Sequence, residues 1–360
     1  MIGCENDKQN FYQERNLAID IAKGIGILLV VFAHVNYTPA LLTYIYSFHM
    51  PLFFVISGML FRKEKYRSFG VFLKRKFITL ICPYLFFYMV AMIIRFGIDT
   101  IRYGISDTLI EEYLNFFLEM FIAQKSATVI SAPLWFVPCL FLVEIVYYFV
   151  AKLKSYLIVL VCSILVFVGW LWESPYGIFE NIITIWSVDS ALFAIGFYAL
   201  GNLTIDKVDY FIDMLGKCKY KNIIIGAGTL LCMLFLISIA FLNGKVSLGS
   251  KILNNGLLFY LSGILGFIGI FLISSMIKEN KFLVFCGRNS FCIMSTHHLI
   301  RSILVNGCEL VGLEAYDNTK IVETIIPFII VLVLSLICTL MYNKGKMLLM
   351  SSVVQANVLK

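Results

Sequence analysis

A few side chains near the start of the chain have the types and spacing to move a proton or hold an anion. In LAIDIAKGIGILLVVFAHVNY (17–37), Lys23 and His34 stand eleven positions apart. On a helix that is about three turns, or roughly 16 Å along one face. Asp20 precedes Lys23 by three positions, close enough to pair with it across one turn. The stretch is otherwise apolar enough to cross a bilayer, and titratable groups at that depth are costly enough to mark a functional site by default. A second apolar stretch, YIYSFHMPLFFVISGML (44–60), puts His49 near its start. If the two segments form an antiparallel hairpin, His34 and His49 meet at similar depth. A neutral imidazole takes a proton from a hydroxyl near pH 7, so a general base is the natural role. No HxxxH or HxxE spacing supplies further ligands, and no metal site is expected. His34, His49 and Asp20 form the candidate catalytic set.

The elements that must position these groups follow from composition. The chain has 360 residues, 60% hydrophobic and 14% charged, with mean hydropathy +0.89. A soluble domain of this size does not carry that balance; an all-α integral membrane protein does. Spans of about 17–23 apolar residues are expected at 17–37, 44–61, 77–95, 133–150, 155–172, 183–201, 222–242, 255–277, 289–306 and 324–342, about ten in all. They bound a short N-terminal segment (1–16), one membrane domain (17–342) and a tail (343–360). The first span is too long and too charged for a signal-peptide core, so it is expected to stay in the mature protein.

The net charge of +7 is explained by topology rather than by a nucleic-acid partner. Outside the spans, only Arg95, Arg102, Lys125, Lys245, Lys251 and Lys320 lie on the side away from the termini. The other loop cations sit with the termini, which the positive-inside rule makes cytoplasmic. The densest basic cluster is RKEKYRSFGVFLKRKF (62–77), which contains Lys74, Arg75 and Lys76. On the opposite side, DTLIEEYLNFFLEMF (107–121), within the 96–132 loop, sets acids against an apolar face at helical spacing. It is expected to lie at the interface, as a connector or as a lid. The ten cysteines show no C-x-x-C spacing and read as small packing residues. Glu144, Asp189 and Arg301 are further charges within spans. Arg301 could pair with either acid, or the acids could orient a histidine or an acceptor. Of His297 and His298, His298 is the one expected to face a cavity.

RNLAIDIAKGIGILLVVFAHV, with its basic residue, ten positions and histidine, followed by FHMPLFFVISGML, resembles the opening of the membrane acyltransferase-3 family, in particular its compact fucose-4-O-acetylase-like branch. FLKRKFITLICPYL, PLWFVPCLFLVEIVYYF, SVDSALFAIGFYALG and GRNSFCIMSTHH extend the likeness over almost the whole chain in the family's order. The resemblance implies a ten-helix enzyme that moves an acyl group, usually acetyl, from cytoplasmic acyl-CoA to a carbohydrate hydroxyl at or beyond the membrane. The basic-x10-His motif falls on Lys23 and His34, and the family's Ser-Gly on Ser57 and Gly58. The family's two arginines three apart before the proline of span three are not reproduced: Arg75 is followed at that spacing by Ile78, with Lys74 and Lys76 as neighbours.

On this reading acetyl-CoA is a co-substrate whose phosphates meet Lys23, Lys74, Arg75 and Lys76. Ser57, Trp135 and Asn289 are candidate donors to a developing oxyanion, with Trp135 equally suited to anchor at the interface. The acceptor would be an envelope glycan or a lipid-linked sugar, and the setting a bacterial cytoplasmic membrane. A transporter or flippase, with Asp20, Lys23, Glu144, Asp189 and Arg301 lining a path, is the rival from another class. No matching halves support it. A non-enzymatic polysaccharide-assembly component explains the membrane composition but not the paired histidines.

Overall fold

The computed structural model of the protein describes residues 2–123, 130–173, 184–216, 218–250, 252–277, 279–312 and 316–358, and the side chains of residues 2–16, 209, 212, 213, 215, 216 and 349–358 lie outside that description. Among the described residues there is no strand, only an isolated bridge between Ser247 and Ile252. Nine described helical segments are long and apolar enough to cross a membrane. The remaining expected span, the ninth, is also a helix, Ser290–Leu310. At 21 residues it is roughly 31 Å long, but His297, His298 and Arg301 keep it less apolar than the rest.

The first helix, α1, runs Ile2–Val35 and places His34 in its last turn. The chain then turns at Asn36, whose Oδ1 accepts from Thr38 N at 2.8 Å, and Pro39 opens the short α2 (Pro39–Tyr46). The second expected span is not one helix. It breaks at Ser47–Phe48 before α3 (His49–Leu60), because Pro51 has no N–H to give the carbonyl of Ser47. That carbonyl accepts from Ser262 Oγ instead, at 3.1 Å. The break leaves His49 in the first turn of α3.

The basic cluster is helical and continuous with the third span. Ser68 caps α4 (Phe69–Lys76), a π turn covers Phe77–Ile81, and α5 follows from Cys82 to Tyr103. Pro83 removes the donor that would keep the α-helical ladder in register there, a known cause of such bulges. The span therefore extends beyond the expected 77–95, and the following loop starts only at Gly104, in the left-handed region at φ 75°. The stretch expected to lie at the interface forms a helix, α6, Asp107–Ile122. Leu109, Tyr113, Phe116 and Met120 bury its apolar face, and the hydroxyls of Tyr84 and Tyr88 on α5 donate to the carbonyls of Met120 and Phe116.

The remaining helices are α7 (Phe136–Val150), α8 (Ser155–Glu173), α9 (Val188–Gly216), α10 (Lys221–Asn243), α11 (Gly256–Met276), α12 (Lys281–Arg288), α13 (Ser290–Leu310) and α14 (Ile321–Val358). The start of the sixth expected span, 183, lies outside the described residues, and α14 carries the helix past the expected start of the tail at 343. The bundle is organised by pairs: α1 with α12, α3 with α9, α8 with α9, α10 with α11, and α13 with α14. Where α3 crosses α9, a Cβ on Gly58 would run into the carbonyl oxygen of Tyr198, and one on Gly201 into that of Val55. Two backbones in contact have no flexible side chain that can yield.

Gly58→Ala and Gly201→Ala should therefore each lower stability by about 1–3 kcal/mol or more, read as a depressed melting temperature of the purified, detergent-solubilised protein. Gly226→Ala on α10, where nothing lies within 4 Å, should be neutral or stabilising, since glycine inside a helix costs about 1 kcal/mol against alanine.

Candidate functional site

A cavity of about 170 Å³ lies between α1, α2, α3, α7 and α13, with Ser247, Leu248 and Gly249 of the α10–α11 connection also lining it. Lys23, Ile27, Val30 and His34 line it along one stripe of α1, so the i, i+4, i+7, i+11 spacing of that stripe becomes one wall of a shaft. His49, Met50, Phe53 and Ser57 form the facing wall from α3, with Trp135 and Phe136 beside them. The sequence-selected residues Lys23, His34, His49, Ser57 and Trp135 thus share one space.

The histidines are held in defined tautomers. His34 Nδ1 lies 2.8 Å from the carbonyl of Val30, and His49 Nδ1 lies 2.8 Å from that of Ile45. A carbonyl can only accept, so Nδ1 carries the proton in each neutral ring and Nε2 carries the lone pair. The ring of Tyr46 lies between the two, with centroids 6.5 Å from His34 and 4.9 Å from His49. The ring nearest His34 among these is that of His297 on α13, at 5.0 Å, with His298 at 6.2 Å. All four histidines of the chain gather around one end of the cavity, although neither His297 nor His298 lines it. The expectation that His298 faces the cavity is therefore not met, and His297 is both closer to His34 and fully buried. Its Nδ1 is also satisfied by a backbone carbonyl, Ile293 O at 3.0 Å, which leaves Nε2 buried without a protein partner among the described residues.

The end of α1 that carries His34 is pinned by the 316–320 loop. Tyr37 N donates to Asn318 O at 2.6 Å, and Tyr316 OH donates to Val35 O at 3.3 Å. Asp317 organises this loop. The Thr319 hydroxyl and amide hydrogen-bond its carboxylate and hold it below the usual carboxylate range. At the other end, Gly24 packs against the backbone of Leu283, and Gly287 against that of Asp20. The α1–α12 contact is thus a backbone contact and fixes the height of Lys23.

Several assignments change. Asp20 does not pair with Lys23: its carboxylate accepts from Arg288 Nε at 2.7 Å. It also lies fourteen residues from His34, roughly 21 Å along the helix, too far to act on that imidazole, so it leaves the catalytic set. Lys76 is not a free cation. Its ammonium donates to Glu144 Oε1 at 2.7 Å, and the Glu144 carboxyl is buried. Glu144 therefore has its partner on α4 and not in Arg301. Asp189 accepts from the Thr184 hydroxyl at 3.0 Å and from Ser190 N at 2.8 Å at the start of α9, a placement that also suits the helix dipole. Arg301 stacks on the ring of Tyr37, 5.1 Å from its centroid. Asn289 donates to Phe285 O and accepts from Asn343, while its neighbour Ser290 lines the cavity. Lys74 and Arg75 are exposed on α4, outside the cavity, which Leu80 reaches one turn beyond Lys76. No residue of α6 lines the cavity, so its docked face makes it a connector and not a lid over this space.

Sequence reasoning missed Tyr46, Ser290 and the Ser247–Gly249 roof. Tyr46 had a usable signal, since it lies one turn before His49 on the same face. The roof had none, because nothing in its composition separates it from any other loop.

If the Lys76–Glu144 pair is structural, Lys76→Met alone leaves a carboxylate buried without its cation and should cost about 3–5 kcal/mol. Lys76→Met combined with Glu144→Leu should recover most of that loss. Thermal unfolding of the three proteins checks it.

Comparison with curated proteins and with solved structures finds no match. A family model described as "Acyltransferase domain" matches residues 16–343, a stretch that begins just before the α1 shaft and ends within α14. With its apolar helices and that match, the chain belongs to the acyltransferase-3 family and is a multi-pass membrane acyltransferase.

Proposed function

We propose that the protein transfers an acyl group, acetyl in the first instance, from acyl-CoA to a hydroxyl of a cell-envelope carbohydrate, with His34 as general base. The observation that carries this reading is the cavity itself, with an ammonium at one end of a helical stripe and an imidazole of fixed tautomer at the other. A space of about 170 Å³ takes the slender thioester end of the donor and not its nucleotide. The nucleotide stays at the basic face, where Lys74 and Arg75 are exposed, and Lys23 meets the part of the donor that enters.

In the transfer, His34 Nε2 accepts the proton of the acceptor hydroxyl as the oxygen attacks the thioester carbonyl. Collapse of the tetrahedral intermediate breaks the C–S bond, and the leaving thiolate takes the proton back from the imidazolium. Ser57 and Trp135, which border the same cavity, are the candidate donors to the oxyanion. His49 supports the site through Tyr46. The distribution of basic residues makes the face bearing Asp20 and Lys23 cytoplasmic, in a bacterial cytoplasmic membrane. A transport path would need the intramembrane charges to line it, whereas Glu144 and Asp189 are committed to neighbours within the bundle.

Purified protein supplied with radiolabelled acetyl-CoA and an envelope glycan fraction should label the glycan. His34→Ala should reduce turnover by about 10²–10⁴-fold with normal membrane abundance, and undiminished labelling by that variant would overturn the assignment. Lys23→Met removes a charge-assisted contact worth about 1.5–3 kcal/mol, so the KM for acetyl-CoA should rise roughly ten- to hundredfold with a smaller change in kcat. An unchanged donor dependence would remove Lys23 from the donor site.

A further inference from the structure

The ring of Tyr46 stands between the two cavity histidines, and its hydroxyl is unused by the transfer step. Tyr46 ends α2, directly before the break that precedes α3. Leu42 and Ile45 of α2 bury against Ala33 of α1 in a small cluster of their own, and the next residue on each chain, Tyr46 and His34, lines the cavity. The packing that docks α2 on α1 therefore sets the height of Tyr46 against His34. Their ring centroids are 6.5 Å apart, and the His49 ring lies 4.9 Å from that of Tyr46.

Tyrosine hydroxyls buried elsewhere in the bundle have partners. Those of Tyr84 and Tyr88 donate to carbonyls of α6, and that of Tyr147 donates to Asn202. The Tyr46 hydroxyl donates to no group among the described residues, yet it is not one of the polar atoms sealed without a partner. It is therefore open to the space that its ring borders. Arg301 and Tyr37 lie within electrostatic reach of it, and Arg301 makes no ion pair among the described residues, its cation resting on the Tyr37 ring. A phenol keeps its proton near neutral pH. The end of the cavity that holds His34 thus contains a proton donor with nothing to donate to, in a field that favours negative charge.

Height decides what that donor can serve. The oxyanion forms next to the oxygen whose proton His34 Nε2 receives, so the group that stabilises it must sit level with His34. A Cβ on Gly26 of α1 would meet Leu52 and Phe53 of α3, which puts those residues eight positions, or roughly 12 Å, below His34. Phe136 packs on Phe53 and Phe54 at the same level, with ring centroids 6.2 and 5.0 Å away, and Trp135 precedes it. Ser57 lies one turn further towards Lys23. Of the cavity's hydroxyl and indole donors, Tyr46 is the one at the height of the reacting imidazole.

We infer that Tyr46 is the oxyanion donor of the acyl transfer. This rests on the acyltransferase reading above and adds a catalytic residue to it, with Ser57 and Trp135 bordering the arm of the donor instead. Attack by the acceptor oxygen forms the new C–O bond and moves the carbonyl π pair onto the thioester oxygen, where the Tyr46 O–H meets it. The phenol keeps its proton throughout. When the C–S bond breaks, the pair returns to the carbonyl, and the thiolate takes its proton from His34.

The test is Tyr46→Phe in the full-length protein, assayed with radiolabelled acetyl-CoA and the envelope glycan fraction. The ring and its packing stay and only a hydroxyl without a protein partner goes, so the melting temperature should not move. Loss of an oxyanion donor should lower kcat by about 10²–10³-fold. The KM for acetyl-CoA should hold, so that kcat/KM falls by the same factor, the mark of an interaction made only in the transition state. Ser57→Ala and Trp135→Phe should each lose less than Tyr46→Phe. Undiminished kcat in Tyr46→Phe, a rise in KM alone, or a loss of activity matched by a loss of stability overturns the role of Tyr46 and leaves acetyl transfer standing. Absence of acetyl transfer by the unmodified protein removes the reaction, and the role of Tyr46 with it.

Discussion

The backbone contact between α1 and α12 is the constraint on which the rest of the site depends. Gly24 and Gly287 bring the two helices together until main-chain atoms touch, and the pairing of Asp20 with Arg288 at 2.7 Å closes the same contact on its polar side. Lys23 leaves α1 one residue from this seam and turns the other way, into the cavity. Because α1 is a continuous helix from there to Val35, fixing Lys23 also fixes the height and rotation of His34. A charged side chain at the centre of a membrane helix is penalised by roughly 2.5–3.5 kcal/mol even on the lenient scales. The bundle meets that cost by surrounding α1 with α3, α11, α12, α13 and α14, so that its polar stripe never meets lipid.

The polar interior follows a division of labour. Charges that hold helices together are paired across the bundle: Asp20 with Arg288, and Glu144 with Lys76. The imidazoles lean on backbone carbonyls. His34, His49 and His297 each point Nδ1 at the carbonyl four residues earlier on the chain. A carboxylate partner would favour the imidazolium and hold the proton on the ring. A carbonyl fixes the tautomer without supplying a full negative charge, which suits the general-base role proposed for His34.

Much of this was legible in the sequence where the signal is local. The Lys23-to-His34 stripe, the approach of His49 to His34 and the amphipathic α6 all follow from helical periodicity over a few turns, whereas Ser57 was picked out by the family resemblance. What was not legible is long-range. Asp20 and Arg288 are 268 positions apart and Lys76 and Glu144 are 68 apart. A membrane helix that is apolar on most faces gives no sign of which neighbour it will meet, whereas a soluble amphipathic helix marks its inner face. Asp20 and Lys23 looked like partners because they are neighbours on one helix, but the close approach of α12 offered Asp20 a guanidinium. The proximity of His297 to His34 was hidden for the same reason, since it depends on how α13 is rotated against α1.

The break between α2 and α3 shows how a local irregularity serves the distant one. Had Tyr44–Phe61 formed one uninterrupted helix, Tyr46 and His49 would follow a single straight stripe with no freedom to turn towards α1. Pro51 ends the ladder at Ser47, and Ser262 of α11 takes the freed carbonyl, so the kink is satisfied by a hydrogen bond from another helix rather than left as an unmet acceptor in hydrocarbon. The same α11 begins at the end of the loop that lends Ser247, Leu248 and Gly249 to the cavity lining. One helix therefore satisfies the break that precedes the second histidine and begins where the cavity-lining loop ends. A change in how α11 sits against α3 would move both together, which makes the α3–α11 contact, rather than any residue lining the cavity, the place where the helix break beside His49 and the cavity-lining loop are mechanically joined.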